Sequence, residues 1–230
     1  MEQLLNDEIQ GQVKEAFSQL DGPVEVLFFG QQEDCEYCDQ TLQLLEEVSA
    51  LSDKIHLSQY DLDQNAELAE QYNVDKTPGF VIAGHSNGDL VDYGVRFAGV
   101  PAGHEFSSLI QDIILVSGGD SRLSQGTRDL LANLEKPVSL QVFVTPTCPY
   151  CPQEAVNGVK AAIEKPDLIS LEIIDIQCKP KIAEQYAAHS VPQAYANDIL
   201  IGQGAQPEEV FCDSLLKLEA QTIFIPDSDA

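Results

Sequence analysis

The stretch VFVTPTCPYC, residues 142–151, joins an apolar run to two cysteines that are separated by two residues. The β-rich run 138–144 is typical of a strand covered on both faces. Behind the cysteines, apolar side chains recur on one face at helical spacing: Cys151, Ala155, Val159 and Ala162. We expect Gly158 to weaken that helix. The stretch therefore predicts a strand, a cysteine pair at a helix start, and a helix.

The same arrangement occurs earlier in the chain. Residues 24–29 form a second β-rich run, and Cys35 and Cys38 follow it. Downstream, KIHLSQYDLDQNAELAEQYNVDKTP at 54–78 aligns without a gap on LISLEIIDIQCKPKIAEQYAAHSVP at 168–192. Both segments contain Ala-Glu-Gln-Tyr and end in proline. Self-similarity over a whole unit indicates a duplicated domain.

Both copies predict the same order of elements: a helix, a strand, the cysteine pair, a helix, a strand, a short helix, an X-Pro turn, two strands and a final helix. We expect the final helices at 102–115 and 207–220. Gly and Ser at 117–119 mark the junction between the units. The predicted units are 1–118, with Cys-Glu-Tyr-Cys, and 119–230, with Cys-Pro-Tyr-Cys. The predicted fold class is α/β.

The composition restricts the function. The chain has 230 residues, 43% of them hydrophobic, which suits a globular protein of one large or two small domains. Its 38 Asp and Glu against 12 Lys and Arg give a net charge of −26. This charge argues against nucleic acid as a partner, because phosphates need basic residues, and against an anionic membrane surface. It provides solubility through self-repulsion, and life in concentrated salt is a second interpretation.

No segment predicts export or a membrane. Residues 1–20 have neither the basic start nor the apolar run of a signal peptide. No segment approaches the roughly 20 consecutive apolar residues of a membrane span. We therefore expect a cytoplasmic protein. In a reducing compartment, paired cysteines indicate metal binding or catalysis more than structural bridges.

A cysteine pair at a helix start is suited to thiol–disulfide exchange. Unpaired N–H groups and the positive end of the helix dipole favour a thiolate there. The first sulfur attacks a disulfide, and the second, one turn further in, resolves the mixed disulfide. We therefore assign Cys35 and Cys148 as nucleophiles. Cys38 and Cys151 are the corresponding resolving thiols.

Two other interpretations of the cysteine pairs stay open. Four thiolates from two pairs are a zinc ligand set, and zinc would make the chain a metal-stabilised binding module. The stretch between Cys38 and Cys148 is, however, much longer than the roughly 15–20 residues usual in such sites. Structural disulfides are the other interpretation, which the position at helix starts disfavours.

Each unit has an X-Pro step before its two-strand segment, at Thr77-Pro78 and Val191-Pro192. A cis bond there would present the backbone of the preceding residue to a substrate strand. About 5–6% of X-Pro bonds are cis, so the base rate favours trans, but the duplicated placement favours cis. We expect aromatic side chains at the rims of both sites. The candidate substrate-binding residues are therefore Thr77, Pro78, Val191, Pro192, Tyr37 and Tyr150.

These motifs resemble the thioredoxin superfamily. The segment TPTCPYC, residues 145–151, resembles a glutaredoxin active site. Asp63-Gln64-Asn65, followed by Pro78, resembles the thioredoxin pattern that leads to its cis-proline. Two Cys-x-x-Cys units in a chain of this length are similar to the protein disulfide oxidoreductases of archaea and thermophilic bacteria. YGVRFAGVPAG, residues 93–103, resembles the first-unit hairpin and last-helix start of that family.

The resemblance implies two thioredoxin folds joined into one continuous mixed sheet, with cis bonds at both X-Pro steps. It also implies reduction, oxidation or isomerisation of protein disulfides. The chain departs from the family pattern beside the cysteines, where Asp34 and Thr147 replace a tryptophan. Phe29 and Val142 stand at the position of the buried acid of thioredoxins, which leaves open what assists the resolving cysteine.

The two sites are expected to differ in charge. Acids that disfavour a thiolate flank the first pair: Glu33, Asp34, Glu36 and Asp39. No acid lies within three residues of Cys148. Because a less stable thiolate destabilises the reduced form, the first pair is predicted to be the more reducing one. The second pair is predicted to be more oxidising and more reactive.

The sequence thus predicts a protein thiol–disulfide oxidoreductase that needs no metal or organic cofactor, because the cysteines carry the electrons. Its partners would be protein disulfides or dithiols and an upstream reductant such as a thioredoxin reductase. The alternative enzyme is an electron shuttle to one client such as a peroxidase, like the tandem module of alkyl hydroperoxide reductase systems. Two intact cysteine pairs disfavour that alternative. We expect Cys178 to be a partly buried packing residue and Cys212 a core residue.

Overall fold

The computed structural model describes residues 3–31 and 33–221, which form an α/β fold. The first copy of the repeat supplies α1 (Asp7–Phe17), β1 (Val24–Gly30), α2 (Cys38–Ser49), β2 (Ile55–Asp61), α3 (Ala66–Gln71), β3 (Gly79–Ser86), β4 (Asp89–Ala98) and α4 (Glu105–Gly118). The second copy supplies α5 (Gln125–Leu131), β5 (Val138–Val144), α6 (Cys151–Glu164), β6 (Ile169–Asp175), α7 (Pro180–Gln185), β7 (Gln193–Ala196), β8 (Ile199–Gln203) and α8 (Glu208–Gln221). The predicted order of elements is confirmed in both copies.

The described strands form one mixed sheet in the order β2-β1-β3-β4-β6-β5-β7-β8. Within each copy, the strand before the cysteines pairs in parallel with the next strand and antiparallel with the third. The copies meet where β4 and β6 pair in parallel, from Val95 opposite Leu171 to Ala98 opposite Ile174. The expected continuous sheet is therefore confirmed.

Both faces of the sheet are covered, which explains the apolar runs before the cysteines. Successive side chains of a strand point to opposite faces. Phe28 and Val142 accordingly join a core that runs through both copies beneath α2, α4, α6 and α8. Phe29 packs on the other face with side chains of α3, and Phe143 does the same with α7. None of the helices in the described ranges is long and apolar enough to cross a membrane.

Helix α4 lies between the two copies and packs on α6. It runs through Gly118, and Gly119 follows in the left-handed conformation, with φ 59°. Ser117 and Gly118, at the expected junction between the units, thus belong to the helix. The Ser117 hydroxyl donates to the carbonyl of Ile114. The unit boundary between 118 and 119 stays a prediction.

Gly158 has a packing role that its helix propensity does not reveal. A Cβ at this position would lie 2.9 Å from Cδ1 of Leu171 on β6. Real Cβ atoms essentially never approach so closely, so glycine allows α6 to lie directly against the sheet. The cost in helix propensity is thus offset by close packing of the helix that carries the second cysteine pair.

Candidate redox sites

Both cysteine pairs lie at the same edge of the sheet. Each pair follows the carboxyl end of a strand, β1 or β5, and its second cysteine begins the next helix. The pairings make β1 and β5 parallel to one another, with β3, β4 and β6 in between. Four strand intervals correspond to about 19 Å. The chain therefore presents two separate sites facing the same way.

The helices that carry the cysteines begin without the usual cap. The side chains of Asn6 and Ser124 accept backbone N–H groups at the starts of α1 and α5. Tyr37 and Tyr150, which precede α2 and α6, make no such side-chain bond. At α6 a sulfur takes this place, because the Cys151 N–H donates to Sγ of Cys148 at 3.1 Å. The Cys148 sulfur therefore accepts a hydrogen bond at the positive end of the α6 dipole.

The second site is a dithiol that opens to the surface at Tyr150. Cys148 is 9% exposed and Cys151 is 0% exposed, while Tyr150 is 67% exposed. Sγ of Cys148 donates to the carbonyl of Val191 at 3.6 Å. The Val191-Pro192 bond is cis, as expected. The structure thus brings the predicted nucleophile, its partner cysteine and the pre-proline backbone together.

A buried acid from the first copy acts on the second site. Burial raises the pKa of the Cys151 thiol, and the Cys148 sulfur and the Glu105 carboxylate raise it further. Glu105 begins α4 and is 0% exposed. Burial raises the pKa of this carboxyl to about 7, although Ser108 donates to Oε2 at 2.8 Å. Oε1 has no hydrogen-bond partner within the described residues.

Sequence reasoning missed Glu105 because it sought the acid within the same copy. Phe29 and Val142, at the expected position, are both 0% exposed and lie in the apolar core. A signal was present, however. The segment 99–106 resembles 204–211, and this alignment places Glu105 opposite Val210. The repeat therefore marks Glu105 as a charged residue where the second copy has an apolar one, although Val210 itself is 48% exposed.

The first site is a disulfide between Cys35 and Cys38, with Cα atoms 5.5 Å apart. Cys38 is 7% exposed, and Cys35 is more accessible. The flanking acids are exposed, as their sequence suggested: Glu33, Asp34, Glu36 and Asp39. The Thr77-Pro78 bond is cis. The first pair is thus a disulfide, whereas the cysteines of the second pair are free thiols.

The loop between β6 and α7 of the second copy lies against the first site. Gly99, with φ 133°, allows close approach, since a Cβ there would lie 2.5 Å from Cβ of Asp175. Lys179 Nζ donates to the carbonyl of Thr77. Tyr37 is only partly exposed. Its pKa is raised chiefly by the Glu36 charge and then by burial, with smaller contributions from Cys178 of this loop and from Asp175 at the end of β6.

The remaining cysteines are packing residues in the structure. Cys212 is 0% exposed within α8, as expected. Cys178 is partly buried, and its thiol donates to Oδ2 of Asp175 at 3.0 Å. Burial and then this hydrogen bond raise the pKa of Cys178 to about 12. Across residues 3–31 and 33–221, no three His, Cys, Asp or Glu side chains are grouped to hold a metal ion, so the zinc interpretation gains no support.

Comparison with a sequence profile agrees with the repeat. The profile of the thioredoxin domain matches residues 23–111 and 138–217. The first match extends from just before β1 into α4, and the second from the start of β5 into α8. The profile therefore matches each copy once.

Among curated proteins, the alkyl hydroperoxide reductase AhpF of Staphylococcus aureus is 32% identical over 156 residues. The match covers 67% of this chain and 27% of that protein. The AhpF protein of Pseudomonas aeruginosa is 26% identical over 203 residues, covering 87% of this chain and 35% of that protein. The chain thus spans only about a third of the length of these relatives, or less.

Solved structures have the same arrangement over nearly the whole chain. The protein disulfide oxidoreductase from Aeropyrum pernix K1 has a TM-score of 0.85 and 26% identity, with 94% of each chain covered. The NTD_N/C domain of the alkylhydroperoxide reductase AhpF from Enterococcus faecalis has a TM-score of 0.83 and 24% identity, covering 92% of this chain and 99% of that one. The second likeness shows the fold.

Proposed function

Because the chain belongs to the thioredoxin domain family, we propose that both of its cysteine pairs are catalytic. The chain is a thiol–disulfide oxidoreductase with two tandem thioredoxin-like folds. In our proposal Cys35 and Cys148 attack the substrate, and Cys38 and Cys151 resolve the mixed disulfide. The proposed units are 1–118 and 119–230.

One observation carries the proposal. The sulfur of Cys148 accepts the first N–H of α6, while Cys151 is fully buried behind it. This arrangement combines a sulfur that accepts a backbone N–H at a helix start with a second thiol that substrate does not reach. Attack by Cys148 and resolution by Cys151 follow from that difference.

The reaction at the second site moves two electrons. The Cys148 thiolate bonds to one sulfur of a substrate disulfide, and the other substrate sulfur leaves as a thiolate. Cys151 then loses its proton and attacks Cys148, which releases the second substrate thiolate and forms the Cys148–Cys151 disulfide. The substrate gains two electrons, and its two thiolates take up the one proton released by Cys151 and one proton from water. The reverse sequence oxidises a dithiol.

We assign the proton from Cys151 to Glu105. A buried thiol with a raised pKa needs a nearby acceptor before it attacks. Glu105 has a pKa of about 7 and an oxygen without a hydrogen-bond partner in the described structure. Its charge already acts on Cys151. The carboxylate of the first unit therefore serves the chemistry of the second.

The proposed substrates are protein disulfides or dithiols. The proposed substrate-binding residues are Thr77 and Pro78 at the first site and Val191 and Pro192 at the second, where the backbone before the cis-proline would bind an extended segment. Tyr37 and Tyr150 would contact the substrate at their own sites. A thioredoxin reductase is the proposed upstream reductant. We also propose a cytoplasmic location, where the thiol pool would keep the remaining cysteines reduced.

A second candidate is an electron shuttle that serves one client, such as a peroxidase. The similarity to the alkyl hydroperoxide reductase AhpF favours it, because the match covers 27% of the Staphylococcus aureus protein. The chain would then correspond to one module of a larger reductase. Activity on unrelated protein disulfides separates the two candidates.

Reduction of insulin disulfides by dithiothreitol tests the proposal. We expect the unsubstituted protein to accelerate the reaction and the Cys35→Ser/Cys148→Ser variant to fall to the rate of dithiothreitol alone. A Cys178→Ser/Cys212→Ser variant is the matched control and should retain the rate. Activity that survives loss of both nucleophiles would refute the assignment. An unsubstituted protein without effect on insulin would leave only the shuttle.

A further inference from the structure

The carbonyl before the cis-proline has different partners at the two sites. At the second site the Val191 carbonyl accepts the thiol of Cys148 itself. At the first site the Thr77 carbonyl accepts Nζ of Lys179, which belongs to the other unit. The Thr77 hydroxyl donates to Oε1 of Gln31 at 2.8 Å. The backbone edge beside Cys35 is therefore already engaged from within the chain.

Lys179 is held in place by the junction of the two units. It directly precedes α7, and its backbone N–H donates to the carbonyl of Asp175 at 3.0 Å. Asp175 in turn packs closely against Gly99. The residue that aligns with Lys179 in the first unit is Asn65, whose side chain accepts the Asp61 N–H instead. The repeat therefore supplies a lysine to the first site and no equivalent to the second.

An ammonium group on this carbonyl opposes binding of an extended segment. Added strands bind through main-chain hydrogen bonds, for which the carbonyl must meet an N–H of the incoming chain. Here the half-buried Lys179 side chain already donates to the Thr77 carbonyl, in place of such an N–H. A substrate strand would have to displace it and break a charge-assisted hydrogen bond. A small disulfide needs only access to the Cys35 sulfur.

We propose that Lys179 closes the peptide-binding edge of the first site. This site then exchanges with small disulfides, whereas extended protein segments react at the second site. The inference rests on the proposed function, since it takes Cys35–Cys38 to be a working redox pair. Lys179 is thus a residue that determines which substrates the first site accepts.

The test uses a Cys148→Ser/Cys151→Ser background, in which only the first site reacts. Lys179→Met removes the cation, Lys179→Arg keeps it, and Lys181→Met removes an exposed cation from the same helix as the matched control. For each variant we would measure kcat/KM for insulin and for bis(2-hydroxyethyl) disulfide. Thermal unfolding reports whether each variant folds, and Lys179→Gln replaces Lys179→Met if the latter does not.

We expect Lys179→Met to raise kcat/KM for insulin at least about threefold, as one regained main-chain hydrogen bond would, and to leave the small disulfide unchanged. Lys179→Arg and Lys181→Met should change neither value. An unchanged insulin value, or a parallel rise for both substrates, would overturn the proposal while the redox function stands. A background protein that reduces neither substrate would instead refute the function proposed for the first site.

Discussion

The two cysteine pairs share a sheet edge and a helix-start geometry, yet the opposite unit supplies each with a different neighbour. Glu105 from the first unit acts on the resolving thiol of the second site. Lys179 from the second unit bonds to the substrate edge of the first site. The difference arises because the two copies are joined head to tail: the last strand of the first copy, β4, pairs with β6 and not with its own counterpart β8. A repeated sequence therefore does not produce a repeated environment.

The largest difference should appear when the nucleophiles are removed one at a time. Cys148→Ser should lower the rate of insulin reduction about tenfold or more, which corresponds to about 1.4 kcal/mol in the activation free energy. Cys35→Ser should change it less than about twofold, because Lys179 engages the peptide edge of that site. The dithiothreitol assay measures both. Equal losses would contradict the division of work between the sites.

A second prediction concerns the buried acid that only one site has. The folded protein keeps a proton on Glu105 up to pH about 7, whereas the ordinary value is 4.5. The free energy of unfolding should therefore fall as pH rises through this window, by about 3 kcal/mol for this group. Glu105→Gln should remove that part of the fall. Denaturant unfolding from pH 4.5 to 8 measures it for both proteins.

Glu154 provides the matched control for this prediction. It is also 0% exposed, and burial raises its pKa to about 7 as well, but its Oε2 accepts the backbone N–H of Gln206 at 3.0 Å. Glu154→Gln should flatten the stability profile alike. If Glu105 accepts the proton, the activity of the second site should rise as this carboxyl ionises through pH 7. In a Cys35→Ser/Cys38→Ser background, only Glu105→Gln should abolish that rise. The same activity profile for both variants would remove the role of Glu105 as proton acceptor.

The smallest expected effect is the difference in redox potential. Exposed acids flank only Cys35–Cys38, so we expect this pair to have the lower potential, by about 30 mV or less. Screening at 1 M salt should reduce the gap. Titration against a glutathione buffer, with each pair isolated by serine substitution, measures both potentials. A higher potential for Cys35–Cys38 would show that other groups outweigh the flanking acids.

Sequence patterns were sufficient to predict the structural features that depend on a single unit. Apolar runs such as 138–144 report burial on two faces, and the spacing behind Cys151 reports a helix face, because both depend on neighbours in the chain. The cis bonds and the continuous sheet were expected from the family resemblance.

Contacts between the two copies could not be predicted from these patterns. Glu105 was missed, and Lys179 was not singled out, since their partners are distant in sequence and depend on which edges meet. Residue types at 117–119 indicated a junction between the units, but they did not show that Ser117 and Gly118 would belong to α4. The packing role of Gly158 could not be predicted from sequence patterns either, since it depends on how closely Leu171 of β6 approaches the helix.

The head-to-tail join also bears on self-association. The outermost strands of the described sheet, β2 and β8, are the counterparts of β6 and β4, which pair at its centre. The same pairing between separate molecules would be head-to-tail, and such contacts build fibres unless their rotation closes a ring. Ile199 and Leu200 on β8 are 39% and 47% exposed. The net charge of −26 makes separate molecules repel one another, which opposes the addition of a second molecule at the edge of the sheet.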